Sequence, residues 1–195
     1  METSLSLLGF AVAASITPGP NNLIISTMAA AGGWRAPVPA MLGVSVGFMV
    51  LLMVAALGLA APLAASPTLH MVLRWVGVLW LLRMAWMIGR APPPEAASEV
   101  RGFGFLGAAA FQWVNPKAWM IALAAMSAFT YPGEEVLVSG LRIAAVFGLV
   151  SMPSLFVWAL LGQSAGRMLR TPRQWRMFNV IMGLLLAASV LPLLR

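Results

Sequence analysis

Six long, predominantly apolar runs, at positions 5–31, 37–61, 69–88, 103–128, 136–161 and 175–194, follow one another with short connections between them. Each reaches the roughly 20 residues that a helix needs to cross a hydrocarbon layer of about 30 Å. Hydrophobic residues make up 61% of the 195 positions and charged residues 9%, where an ordinary soluble domain carries about a quarter charged. A chain of this length has too little interior to bury so much apolar surface, so lipid is the solvent that fits. The sequence predicts an all-α integral membrane protein of six transmembrane helices.

The polar residues narrow the chemistry. There is no cysteine, which removes disulfides, thiol redox centres and thiolate metal sites. The five acids are Glu2, Glu95, Glu99, Glu134 and Glu135, and none falls inside an apolar run. A divalent-cation exporter would need hard oxygen ligands at mid-membrane, so neither a metal nor an organic cofactor is expected. The sole histidine, His70, lies at the outer end of the third run, too far from any serine at depth to form a nucleophile–base pair, so no enzyme is expected.

A net charge of +7 points to lipid and not to nucleic acid. Arg35, Arg90, Arg101, Arg167, Arg170, Arg173 and Arg176 all sit in or beside the first, third and fifth connections. The positive-inside rule puts those connections in the cytoplasm, and the most basic of them, 162–174, meets anionic lipid. Both termini then face the periplasm or exterior of a bacterial inner membrane. The start of the chain lacks the positive region of a signal peptide, and its first run reads as a retained helix.

Two halves of three helices each must run in opposite senses. The chain reads as one transmembrane domain, 1–195, made of an inverted repeat at 1–90, a linker at 91–102 and a second repeat at 103–195. Each repeat opens with a helix broken about halfway, at Pro18-Gly19-Pro20 and at Asn115-Pro116-Lys117. Paired interruptions in corresponding segments mark the binding site of a secondary transporter.

Proline lacks an N–H and frees the carbonyl four residues back, here those of Ala14, Ile16 and Gln112. The half-helix after each break aims its N-terminal amides at the midplane, where they favour a carboxylate. Freed carbonyls can take an ammonium group, and Asn21, Asn22 and Asn115 add amides. A small zwitterionic amino acid suits such a site. Lys117, the only lysine, is an ionisable group near mid-membrane, a functional position by default, and the one group in the spans that could titrate in a coupling step. The competing readings are a structural lysine bonded to carbonyls of the first helix, and prolines that are plain packing kinks. Arg83 sits two turns from the cytoplasmic end of the third helix and can snorkel, with contact to a substrate carboxylate as its lesser reading. Arg74 and Arg142 snorkel at the outer ends. Gly43 and Gly47 form a small-xxx-small face for helix packing.

Thr17-Pro18-Gly19-Pro20-Asn21 resembles the TPGPN signature of the lysine exporter (LysE) superfamily, in its branch of homoserine/threonine and cysteine exporters. Asn115-Pro116-Lys117-Ala118 resembles the second signature, NPKA, and Gly43, Gly47, Gly77 and Trp80 fit the pattern. The likeness spans nearly the whole chain. It implies an exporter of small amino acids or derivatives, working by alternating access, with Thr17, Pro18, Gly19, Pro20, Asn21, Asn115, Pro116 and Lys117 at the translocation site. Asn22 and Gln112 join them from the geometry of the breaks. Trp80 stands where tyrosine is frequent and Arg83 where an uncharged residue is usual, and both are further site candidates. Stretches 125–129 and 155–162 look closest to the cysteine/O-acetylserine exporters. The alternatives are a non-transporting membrane scaffold or assembly protein and a small-cation exporter. A homo-oligomer is compatible with each.

Overall fold

The computed structural model describes residues 2–58, 67–92, 103–130 and 133–191. The regular elements among them are helices: α1 Glu2–Ile16, α2 Pro20–Gly32, α3 Val38–Ala56, α4 Pro67–Gly89, α5 Phe105–Val114, α6 Pro116–Phe129, α7 Val136–Met168 and α8 Pro172–Ala188. The first apolar run is therefore α1 plus α2, and the fourth is α5 plus α6. Most of the 91–102 linker, the turn before Pro67, the side chain of His70 and Arg195 lie outside the described residues.

The two interruptions have local causes. Pro20 takes the first position of α2, where its missing N–H would have had no helical partner and its fixed φ already suits the helix. Gly19 before it is fully extended, with φ −171° and ψ 177°. At the second break Asn115 caps α6, its Oδ1 accepting from the N–H of Lys117 at 3.2 Å, and Pro116 again takes the first helical position. By contrast Pro153 sits inside α7 without ending it.

Two boundaries differ from expectation. α7 runs to Met168 and not 161, and in the added turns Gly162 and Gly166 face α2 and serve packing. α8 begins at Pro172 and not 175. Thr171 and Gln174 form a capping box there, the Thr171 hydroxyl accepting from the Gln174 N–H at 3.2 Å and Gln174 Oε1 accepting from the Thr171 N–H at 3.1 Å.

α7 is the hub, packed against α1, α2, α3 and α6, while α3 packs against α5 and α6, and α4 pairs with α8. The closest crossings put backbone on backbone. A Cβ on Gly162 would lie 2.8 Å from the Ser26 Cα, and one on Gly47 2.6 Å from the Ala109 Cα, so glycine is what allows these approaches. Elsewhere rings fill the space: Phe147 meets Phe48 at 5.3 Å and Phe10 at 6.1 Å between centroids. Arg142 reaches toward the end of its helix, as expected, and finds partners there. It bonds the carboxylate of Glu134 at 2.9 Å and the Phe129 carbonyl at 2.8 Å, joining the start of α7 to the end of α6.

α3 and α7 are each long and apolar enough to cross a membrane, and residues 5–16 of α1 and all of α5 are apolar helices of half that reach. Large apolar side chains face outward along the bundle, including Leu79, Leu106, Met120 and Leu149. Such a contiguous apolar exterior is foreign to soluble monomers.

Candidate functional site: a polar cavity where the two breaks meet

Folding brings the two breaks face to face. They line one cavity of about 60 Å³, with Gly19, Pro20, Asn21 and Asn22 on one side and Gln112, Asn115 and Lys117 on the other. Asn21 and Gln112 form a reciprocal amide pair, Asn21 Nδ2 donating to Gln112 Oε1 at 2.9 Å and Gln112 Nε2 donating to Asn21 Oδ1 at 3.2 Å. Gln112 also donates to the Ala108 carbonyl at 2.9 Å. A buried amide left without partners costs about 1–3 kcal/mol, so this pair holds the two broken helices in register.

Among the carbonyls left open by the first break are those of Ser15, Ile16, Thr17 and Pro18. Each has a donor from elsewhere in the chain. Asn22 Nδ2 donates to Ser15 O at 3.1 Å and Thr17 O at 2.9 Å. Trp158 Nε1 reaches across from α7 to Ile16 O at 3.0 Å. Lys117 Nζ donates to Thr17 O at 2.7 Å and leans on Pro18 O at 3.4 Å. Of the carbonyls expected to be freed, that of Ile16 takes a donor in this set; that of Ala14 has only Pro18 four residues on and the Thr17 N–H turned to Ala13 O, and Ala14 lines the cavity. At the second break the Gln112 side chain, and not its carbonyl, is what meets the first.

The remaining expected residues fall into place around this centre. The Thr17 hydroxyl turns back to the Ala13 carbonyl, so Thr17 offers the site its backbone oxygen alone. Pro18 and Pro116 shape the backbone and do not line the cavity. Trp80 stacks on Phe111 at 6.4 Å with its indole N–H buried and without a partner, and it does not line the cavity. Arg83 is exposed on α4, away from the breaks. Sequence reasoning missed Ser151, which lines the cavity from α7 and donates to Ser45 Oγ on α3 at 2.6 Å. It also missed Trp158. A serine two residues before the proline inside an apolar run was the available signal for Ser151; nothing in the local pattern singles out Trp158.

Gly19 has a role separate from backbone freedom, since its extended conformation is open to any residue. A Cβ there would lie 2.9 Å from both Cδ and Nζ of Lys117. Gly19→Ala is expected to leave the protein as abundant and as stable as wild type, because the lysine's flexible end can move aside. Transport per molecule is expected to drop about tenfold, equivalent to about 1.4 kcal/mol. Transport and abundance measured side by side check this, and unchanged transport would show that the lysine's path is immaterial.

Broken helices meeting end to end around a polar cavity, in a bundle with an apolar exterior, define a membrane protein with a polar centre. The LysE type translocator model matches residues 12–194, and the chain belongs to that family; it is a translocator and not an enzyme. A cysteine/O-acetylserine efflux protein of Salmonella choleraesuis (strain SC-B67) is 31% identical over 173 residues, covering 88% of this chain and 87% of the relative. A protein of the same description from Escherichia coli (strain K12) is 28% identical over the same shares of both chains. No solved structure matches the chain.

Proposed function

We propose that this protein exports small amino acids or their derivatives from the cytoplasm across the bacterial inner membrane, at the cavity between the two breaks. The observation that carries the reading is that the N-termini of α2 and α6 and Lys117 line one cavity, with Lys117 bonded at its edge to the Thr17 carbonyl of the first break. Carbonyls suit an ammonium and helix N-termini a carboxylate, so the site suits a zwitterion. The description of the relatives as cysteine/O-acetylserine efflux proteins favours amino acids with short polar side chains.

Two inverted three-helix repeats give the alternating-access frame. The packing supports this. Exchanging the first three apolar runs for the last three preserves which runs pack together: α3 on the fourth run (α5 and α6) matches α7 on the first (α1 and α2), although α4 meets the first half of the fourth run, α5, where α8 meets the second half of the first, α2. A cavity of about 60 Å³ holds a few waters and suits a closed stage between two open ones. The odd connections face the cytoplasm in this reading. Arg35 and Arg167 there border a wide recess of about 580 Å³, placed to meet anionic headgroups.

An efflux panel tests the proposal. Proteoliposomes loaded with cysteine, O-acetylserine, homoserine, threonine or lysine are expected to release the small polar zwitterions at least about tenfold faster than lysine, a difference of about 1.4 kcal/mol. Release of none of them would favour the scaffold reading.

A further inference from the structure

We infer that Lys117 is a resident cation, displaced from the carbonyls of the first break by the ammonium group of the substrate, and that the released lysine then pairs with the substrate's carboxylate. The inference rests on the amino-acid export reading and specifies how the site recognises its substrate.

The charge inventory is the starting point. Lys117 is the only lysine, and no aspartate or glutamate occurs in any of the six apolar runs. Its ammonium group lies instead on two backbone oxygens, Thr17 O at 2.7 Å and Pro18 O at 3.4 Å. These oxygens hydrogen-bond a cation but do not neutralise it. A charge in a low-dielectric setting without a counter-ion is costly unless a partner arrives. Among the described residues no carboxylate pairs with Lys117, which thus carries an unmet demand for an anion.

The same oxygens suit a second primary ammonium equally well. A lysine side chain and the α-ammonium of an amino acid offer the same three donors, so they compete for Thr17 O and Pro18 O. The surroundings favour an exchange. Gly19 leaves the lysine's path clear, since a Cβ there would meet its Cδ and Nζ at 2.9 Å. Asn115 holds the Lys117 N–H at 3.2 Å, so the backbone stays anchored while the side chain moves.

The exchange sets a rule for what can bind. An amine without a carboxylate would evict Lys117 and leave it with no partner. A carboxylate without an amine would draw Lys117 away and leave the carbonyls open. A zwitterion satisfies both. The site then rejects simple amines and simple acids without any side chain dedicated to excluding them.

The test compares cysteine with cysteamine, which lacks only the carboxylate, by calorimetry on protein in lipid nanodiscs under a reductant. Wild type is expected to bind cysteine at least tenfold more tightly than cysteamine. Lys117→Met is expected to abolish or reverse that preference, because the vacated carbonyls accept an ammonium with nothing to evict. Lys117→Gln keeps donors for the carbonyls without the charge; it guards against misfolding and is expected to lose the preference as well. A folded variant that keeps the wild-type preference, or that binds neither compound, overturns the exchange. A separate measurement stands apart from amino-acid export. Methylammonium chloride, against sodium chloride at equal ionic strength, is expected to raise the melting temperature of Lys117→Met and not of wild type. If wild type binds no amino acid yet this shift occurs, the export reading fails while the carbonyl cradle and its resident stand. No shift in Lys117→Met overturns the resident-cation inference itself.

Discussion

Gly162→Val is expected to remove most folded protein from the membrane. Gly162 lies where α7 crosses α2, and a Cβ there would fall 2.7 Å from the Ser26 carbonyl carbon and 2.8 Å from its Cα. These are backbone atoms, so nothing can swing aside and the helices must part. Overpacking a well-filled contact costs about 1–3 kcal/mol, and more where the obstacle cannot yield. Parting also strains the bond from Ser26 Oγ to the Trp158 carbonyl, 3.0 Å long, worth a further 0.5–1.5 kcal/mol or so. A loss of about 3 kcal/mol or more is a large share of a typical folding free energy of about 5–15 kcal/mol. A fluorescent fusion followed by size exclusion and a thermal ramp reads the outcome. Gly9→Ala is the control, since no atom lies within 4 Å of its added methyl, and it should leave the midpoint unchanged or slightly higher. An unaltered midpoint for Gly162→Val would mean that the crossing is looser than its distances imply.

Asn115→Ala is expected to separate transport from stability. Asn115 is buried, and its Oδ1 caps α6 through the Lys117 N–H at 3.2 Å. Losing an N-cap costs about 1 kcal/mol, so the protein should still accumulate. The same bond sets the first turn of α6, from which Lys117 reaches Thr17 O at the first break. With that turn loosened, export per molecule should fall at least about tenfold, or about 1.4 kcal/mol in barrier. Asn115→Ser keeps a capping oxygen and should recover part of the rate. Efflux normalised to reconstituted protein decides the matter. A decline that merely follows abundance would reduce Asn115 to a cap.

The breaks were legible because each joins a proline to a second breaker, Gly19 between two prolines and Asn115 before Pro116, whereas Pro153 stands alone inside α7. Their consequences were only partly so. Counting four residues back from each proline gave Ala14, Ile16 and Gln112, on the premise that helical geometry continues through the break. It does not: the chain leaves the helix at 17–19, and the whole last turn of α1 loses its partners, which extends the open row beyond Ala14 and Ile16 to Ser15, Thr17 and Pro18. The donors to that row come from α2, α6 and α7, and proximity across helices leaves no trace in local pattern. For Lys117 two readings stood against each other, a structural lysine on first-helix carbonyls and a substrate or gating residue. The bonds to Thr17 O and Pro18 O match the first in geometry without removing the second. At 162 and 166, glycines that resemble helix stops proved to be contact points, because a glycine's local and tertiary uses look alike in sequence.

The glycine crossings also divide the molecule by what can slide. Where α7 meets α2, backbones touch at Gly162 and Gly166 with no free volume between them. Where α7 meets α1, the contact is a ring pair, Phe10 against Phe147 at 6.1 Å between centroids, with a hydrogen bond from Trp158 Nε1 to Ile16 O at the joint end, and rings can roll over one another by changing rotamer. The first apolar run is thus half weld and half bearing, with residues 17–19 as the joint. Any displacement of α1 relative to α7 concentrates its backbone twist in those three residues, the same three whose carbonyls at 17 and 18 hold Lys117.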